Sequence, residues 1–370
     1  MVFAKTSTPA PPGTNGKDPD MTTSATLARP SSTAVYAEPL LAVRDLSVEF
    51  ETKRGTLKAV DGVSFDLAPG ERLAIVGESG SGKSVMSMSL LQLVTYPGRI
   101  VGGSALLEGQ DLIALKGSAL RTVRGSKVTM IFQDPMTSLN PVLRVTDQIT
   151  APLKRHLGLS QHAAEQKALE ALRRVGIPDP ERNIRAYPHE LSGGMRQRVL
   201  IAMAVACEPR LLIADEPTTA LDVTIQAQII ELLKEQAAEL NSAVIFVTHD
   251  MGVVARFAHR VGVMYGGRLV EIGPVEEIFE NPQHPYTRGL LASIPTVGGE
   301  MPERLAQIDG TPPDLARLPE GCSFAPRCDA AQAPCLQVRP ELTRRGPGHE
   351  AACLVTESEA GGASWRRPNH

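Results

Sequence analysis

No apolar run in this 370-residue chain is long enough to cross a bilayer. The longest, Val199 to Cys207 (VLIAMAVAC), is about half of the roughly 20 residues that a spanning helix needs. The chain therefore does not span a membrane by itself. Its amino terminus lacks a charged start followed by a compact apolar block, so no secretory signal is visible and a cytosolic location is expected. A basic surplus is missing too. The 38 Lys+Arg against 41 Asp+Glu give −3, with no local basic run, which argues against a nucleic-acid partner. What is present, 42% apolar and 21% charged residues, belongs to an ordinary folded chain. The length suggests a main domain of roughly 250 residues plus an appendage.

Five cysteines occur, four of them between Cys322 and Cys353. In a reducing compartment such a cluster reads as metal or cluster ligands before it reads as disulfides, whereas Cys207, in an apolar helical stretch, reads as core packing. Residues 1–39 are rich in Pro, Ser, Thr, Ala and Gly. They cannot bury enough apolar area to offset chain entropy, so a disordered tail is expected, with Met21 as an alternative start. A short flexible tail is expected again over 357–370.

From Leu40 to Glu51 apolar residues alternate on odd positions and then, after Arg44-Asp45, on even ones. That is the pattern of a strand broken by a bulge. With a second strand near Val63–Leu67 it predicts an antiparallel sheet, followed by the short buried strand ERLAIV at 71–76. Further buried strands, LLIAD at 211–215 and AVIFVT at 243–248, flank a helical pattern at Ile225, Ile229, Leu232, Leu233 and Leu240. Strand and helix thus alternate as in a parallel α/β sheet. Between about 140 and 190 the character is helical, with Ala168, Leu169, Leu172 and Val175 on one face, which reads as a helical insertion. Beyond 281 Pro and Gly recur and strand signals thin out, so a small separate module is expected over 281–356.

Residues Gly77–Ser84 read GESGSGKS, a complete G-x-x-x-x-G-K-[ST] match after a strand and before a helix predicted at Val85–Leu93. The backbone of Gly77, Ser79, Gly80, Ser81 and Gly82 can curl N–H groups around phosphate oxygens. Lys83 can reach the β and γ phosphates, and the Ser84 hydroxyl can ligate Mg²⁺. A dinucleotide-binding loop is excluded, because Gly80-x-Gly82 is followed by Val85 instead of a third glycine. A triphosphatase also needs a carboxylate for the metal and a group for the attacking water. LLIADEP supplies both: Asp215 ends an apolar strand, where an ionised side chain is costly unless it faces a cation, and Glu216 can orient or deprotonate water.

With these two motifs and LSGGMRQRV at 191–199, the chain resembles the ATP-binding subunit of an ABC transporter. The resemblance covers about residues 40–275, within an ATPase domain expected over 40–280. Ser192 is an expected N-cap, and Gly193-Gly194 leave bare N–H groups to face an anion. The resemblance implies a P-loop NTPase core with antiparallel and helical subdomains. It also implies a head-to-tail pair in which Ser192–Gly194 close on ATP held by the opposite protomer. It assigns Gln133 (IFQDP) to Mg²⁺ or the lytic water, Asp222 (ALD) to the loop between protomers, and His249 (VTHD) to the γ-phosphate. Phe50 is the candidate to stack on adenine, since a flat apolar ring suits a purine face; simple core packing is its other reading.

The stretch ENPQHPYTRGLLASIP at 280–295, continued by GCSFAPRCDAAQAPC, resembles the region after the nucleotide domain in oligopeptide and dipeptide permease ATPases. Nickel and glutathione uptake systems share that region. Implied partners are two integral membrane permeases, a second ATP-binding subunit and an extracytoplasmic solute-binding protein, with this chain peripheral on the cytoplasmic face. The spacing Cys322-x5-Cys328-x6-Cys335-x17-Cys353 offers four thiols without a C-x2-C knuckle. Zinc, a cluster and free thiols all remain open on the residues alone. The resemblance implies a four-iron four-sulfur cluster. The competing class is a soluble ABC ATPase acting on ribosomes or DNA, which usually carries tandem halves or long heptad insertions; this chain has one signature and no extended heptads.

Overall fold

A computed structural model describes residues 38–53, 55–134, 138–219, 221–294 and 308–355. The expected tail over 1–39 therefore lies outside the described residues except at its last two positions, and so does that over 357–370. Two sheets form the frame. The first has the order β2-β1-β4-β5, built from β1 (Leu41–Thr52), β2 (Gly55–Leu67), β4 (Gly98–Leu107) and β5 (Gln110–Asp111), all antiparallel. The switch in alternation at Arg44-Asp45 is a bulge. Pairing with β2 slips between Val43 and Leu46, and Asp45 takes φ +48°, which restores Leu46 and Val48 to the buried face.

The second sheet carries β3 (Arg72–Val76), β6 (Val128–Ile131), β7 (Leu211–Asp215), β8 (Ala243–Thr248), β9 (Arg260–Tyr265), β10 (Arg268–Pro274), β11 (Thr343–Gly346) and β12 (His349–Ala351). Its order is β11-β12-β10-β9-β3-β8-β7-β6, and the five strands from β9 to β6 run parallel. Parallel strands are covered on both faces and so read as unbroken apolar runs; LLIAD and AVIFVT are buried at every position. One face packs against the antiparallel sheet through Ile75, Ile213, Ile245 and Val247. The other meets helices through Leu212, Ala214, Val244 and Phe246. That second cluster runs on into the helices Val145–Leu157, Gln161–Arg174 and Gly193–Val205, where Ala168, Leu172 and Val175 are buried, and it takes in Cys207.

The carboxy-terminal region does not stand apart from this frame. Strand β12 pairs with β10, Glu271 opposite Ala351, so the last described segment extends the main sheet by a hairpin. The join is fixed by a buried polar group. Glu271, fully buried, accepts hydrogen bonds from the backbone N–H of Gln283 (2.7 Å) and His284 (2.9 Å), and pairs with Nε2 of His349 at 2.7 Å. Gly273 makes room, since a Cβ there would lie 2.8 Å from the imidazole. Removing one partner of a buried pair strands the other, so His349→Ala is expected to cost about 3 kcal/mol of stability in urea denaturation of the full chain. A loss below about 1 kcal/mol would show that the two backbone donors alone satisfy the carboxylate.

Candidate active site

The carboxyl ends of β3, β7, β8 and β6 open on one edge of the parallel sheet and deliver, in turn, the glycine-rich loop, Asp215-Glu216, His249 and Gln133. Ligands in open α/β sheets bind at such an edge. The loop's backbone explains its glycines. Gly77 has φ +151°, and a Cβ there would sit 2.2 Å from the Met264 carbonyl; Gly82 has φ +100°, and a Cβ would sit 2.2 Å from the Ala59 carbonyl. A side chain at either position would collide with backbone, which cannot swing away. Gly82 also starts the helix Lys83–Leu90 in a left-handed conformation, two residues earlier than the sequence pattern places it.

Lys83 is buried and folds back over the loop, donating to the carbonyls of Gly77 and Glu78, each at 2.8 Å. Burial lowers its ammonium pKa, opposed by the nearby carboxylates of Glu216, Asp215 and Glu78. The Ser84 hydroxyl donates to Oδ1 of Asp215 at 2.9 Å. Burial raises the Asp215 carboxyl pKa, and the Ser84 hydrogen bond works against that rise. A buried carboxylate beside a hydroxyl, at the mouth of a phosphate loop, is a donor set that fits a hard dication with oxygen ligands.

Glu216 has an unusual backbone, φ +45°, tied by its N–H to the Val247 carbonyl at 2.9 Å. A non-glycine residue in this region carries strain of about 1–3 kcal/mol, which the surrounding contacts must hold. Its side chain is 16% exposed and is gripped at both oxygens. Oε2 accepts from Gln133 Nε2 (3.1 Å) and Thr219 Oγ1 (2.9 Å), while Oε1 lies 3.2 Å from His249 Nδ1. Gln133, Glu216 and His249 thus meet at one point. Thr219 carries no motif of its own in the sequence; its one signal there is its place three residues after the glutamate.

Ser192 caps the helix Gly193–Val205, its hydroxyl accepting from the Met195 N–H at 3.3 Å. Asp222 caps the helix Val223–Glu239 in the same way, accepting from Ile225 N–H at 2.9 Å. Ser192, Gly193 and Asp222 are exposed. Among the described residues none of them is hydrogen-bonded to the loop 77–84. Phe50 is placed in packing: its ring lies against Gly98 and Val94, so that a Cβ on Gly98 would come within 2.5 Å of it. Those neighbours belong to the antiparallel sheet and the segment before it, not to the phosphate loop.

The four clustered cysteines line one pocket together with His284, Phe324 and Ala325. Among the described residues no three potential ligands stand close enough to hold a single ion. Burial pushes the Cys328 thiol up to about 11 and raises those of Cys322 and Cys353. Buried His284 is held well below the ordinary imidazole range, at about 4, by the same cause, and so is neutral at physiological pH.

A glycine-rich loop into a helix, a strand-end Asp-Glu pair, a strand-end histidine and a serine-capped diglycine helix together define an ABC-type ATPase. Known proteins agree on this. The ABC transporter family profile matches residues 60–219, and that of the oligopeptide/dipeptide transporter carboxy-terminal region matches residues 270–335. The chain is 52% identical over 324 residues to the dipeptide transport ATP-binding protein DppD of Bacillus subtilis, covering 87% of this chain and 96% of that one. It is 52% identical over 322 residues to the oligopeptide transport ATP-binding protein OppD of the same organism, covering 87% and 90%. Among solved structures, a dimeric post-hydrolysis state of the ATP-binding cassette MJ0796 bound to ADP and Pi matches with TM-score 0.57 and 28% identity, over 64% of this chain and 98% of that one. The chain belongs to the ABC transporter ATP-binding family, in the branch with the oligopeptide/dipeptide-type tail, and is an ATPase of that family.

Proposed function

We propose that this protein powers the uptake of dipeptides or oligopeptides by hydrolysing ATP between two ATP-binding subunits on the cytoplasmic face of a membrane. The observation that carries the reading is the meeting of Gln133, Thr219 and His249 on the Glu216 carboxylate, beside the Ser84–Asp215 pair, in a chain with a peptide-permease tail. In this reading the loop's N–H groups other than that of Glu78, which is donated to the Tyr286 hydroxyl, and the amino end of the following helix receive the β and γ phosphates, and Lys83 turns its ammonium from its own loop carbonyls to them. Ser84, Asp215 and Gln133 would hold Mg²⁺, which would supply positive charge to neutralise the phosphoryl oxygens. Glu216 takes a proton from the attacking water, and His249 positions the γ-phosphate. Ser192, Gly193 and Gly194 of one subunit complete the site of the other, with Asp222 at the seam. Gln133 and the helices Val145–Leu157 and Gln161–Arg174 relay closure to two membrane permeases, which receive solute from an extracytoplasmic binding protein.

What supports a four-iron four-sulfur cluster is that four thiols, the number such a cluster takes, line one pocket. Cys322, Cys328, Cys335 and Cys353 would hold it, giving up their protons and cross-linking the tail. Iron and acid-labile sulfide in anaerobically purified protein test this; colourless, iron-free protein rules it out. Transport is tested by reconstituting the full complex in proteoliposomes. ATP-dependent uptake of labelled dipeptides or tetrapeptides is expected. Uptake of nickel or glutathione in their place would overturn the peptide assignment, and ribosome association without membrane partners would overturn the transporter reading itself.

A further inference from the structure

Glu78, the second residue of the phosphate loop, is held from outside the nucleotide domain at both its backbone and its side chain. Its N–H donates to the hydroxyl of Tyr286 at 2.7 Å. Its carboxylate is clasped by the Arg327 guanidinium through Nη1–Oε2 at 2.6 Å and Nη2–Oε1 at 2.9 Å, a fork of two parallel bonds. Arg327 is 5% exposed at its side chain and is itself fully engaged. It donates to the carbonyls of Asp309 (2.9 Å) and Ile308 (3.2 Å) and the hydroxyl of Tyr265 (3.3 Å), and it lies over the rings of Tyr265 and Phe324. Tyr265, Tyr286 and Phe324 pack on one another with centroids 4.5–5.4 Å apart, so both contacts to Glu78 rise from one aromatic block. That block is fixed to the thiol pocket: Arg327 directly precedes Cys328, and their turn is closed by Arg327 N–H to Phe324 O (2.9 Å) and Cys328 N–H to Ala325 O (3.2 Å). A second tie, Arg339 to Asp61 at 3.3 Å, reaches the antiparallel sheet.

We propose that Arg327 and Tyr286 are positioning residues of the ATP site, through which the carboxy-terminal region sets the shape and the charge of the phosphate loop. The physical need is plain. An acidic residue in a loop that receives a triphosphate repels it, and at short range in a partly buried site that repulsion is large. Arg327 cancels the charge and turns the carboxylate away. Tyr286 fixes the peptide N–H of Glu78, whose carbonyl in turn accepts from the Ser81 N–H at 3.2 Å, so the anchor is passed along the loop. Their effect is on capture of nucleotide and not on cleavage, because neither touches Glu216 or its partners.

The test is nucleotide affinity of the full-length chain, read with a fluorescent ATP analogue, and steady-state kinetics of the assembled transporter. Arg327→Gln is expected to raise KM for ATP about tenfold with kcat within about twofold of the parent, and Tyr286→Phe, which deletes one oxygen and keeps the packing, to raise it about threefold. In the double variant Arg327→Gln/Glu78→Gln, KM is expected to return to within about threefold of the parent, since the charge that Arg327 cancels is gone. That recovery separates loop positioning from general destabilisation, which the second substitution would only deepen. Unchanged KM in both single variants, a fall in kcat alone, or a double variant as impaired as Arg327→Gln would each overturn the proposal.

Discussion

Glu216→Gln is expected to lower kcat for ATP hydrolysis by about 10³-fold while ATP affinity stays within about twofold of the parent. The asymmetry arises from how the carboxylate is held. Oε2 accepts two hydrogen bonds, from Gln133 and Thr219, and Oε1 faces His249. A glutamine can keep its carbonyl oxygen toward the two donors and present its amide to the imidazole nitrogen, with His249 as acceptor. Shape, hydrogen bonds and the strained backbone at φ +45° therefore all survive. The lost property is the ability to accept a proton from water. The loop, Lys83 and the Ser84–Asp215 pair are untouched, so nucleotide and Mg²⁺ should still bind and the closed pair should accumulate with ATP trapped inside. Retained turnover in the reconstituted complex would remove Glu216 as the base and direct attention to His249, which stands next in line at 3.2 Å.

The site was readable in sequence wherever a functional residue ends an apolar strand. ERLAIV, LLIAD and AVIFVT are short runs buried on both faces, and the parallel topology forces the loop after each of them to the same edge. The bulge in β1 was readable for a similar reason, because a slip of one residue moves every apolar side chain to the other face. Strand β2 is longer than its pattern suggests, since the lysine and aspartate of GTLKAVDG mask alternation in a half-exposed strand. The hairpin of β11 and β12 left no signal at all: TRRG and HEA are short and polar, and they are strands only because β10 offers an edge and Glu271 a partner for His349. The fork between Arg327 and Glu78 joins residues 249 positions apart, and no local pattern announces such a pair. Nor could spacing place the thiols. It gives their number and order, whereas their convergence on one pocket depends on the backbone hydrogen bond from Cys322 N–H to the Cys335 carbonyl at 2.8 Å, which brings two distant segments together.

Gly193→Asp is expected to abolish hydrolysis, by more than about 100-fold, in a protein whose fold and single-chain ATP affinity are unaltered. The effect depends on what this glycine meets. At Gly77 and Gly82 a side chain would strike the same chain's backbone, and a Cβ on Gly194 would lie 3.3 Å from the Ile225 side chain, so each has a reason to be glycine within the protomer. Gly193 has none. Its backbone is not left-handed, it is exposed, and a Cβ there would meet nothing within 4 Å. As the first residue of the helix Gly193–Val205, capped by Ser192, it presents unpaired N–H groups and the positive end of a helix to solvent. A carboxylate placed there is harmless to the isolated chain and even suits the helix dipole. It is ruinous only if a second anion must dock at the same spot, and the loop 77–84 of this chain is not hydrogen-bonded to it. The variant therefore separates two accounts of the signature. If it is a folding device, melting temperature changes and turnover falls with it; if it grips the triphosphate of a partner, stability holds and turnover vanishes. Mixing decides the matter further: where the active pair is made of two copies of this chain, one Gly193→Asp subunit with one Lys83→Ala subunit confines both lesions to one composite site and leaves the other whole. Recovery of up to about a quarter of the parental turnover in equal mixtures, where half of the randomly formed pairs carry one intact site of two, is the signature of a shared site, and its absence would confine the reaction to a single chain or require both sites at once.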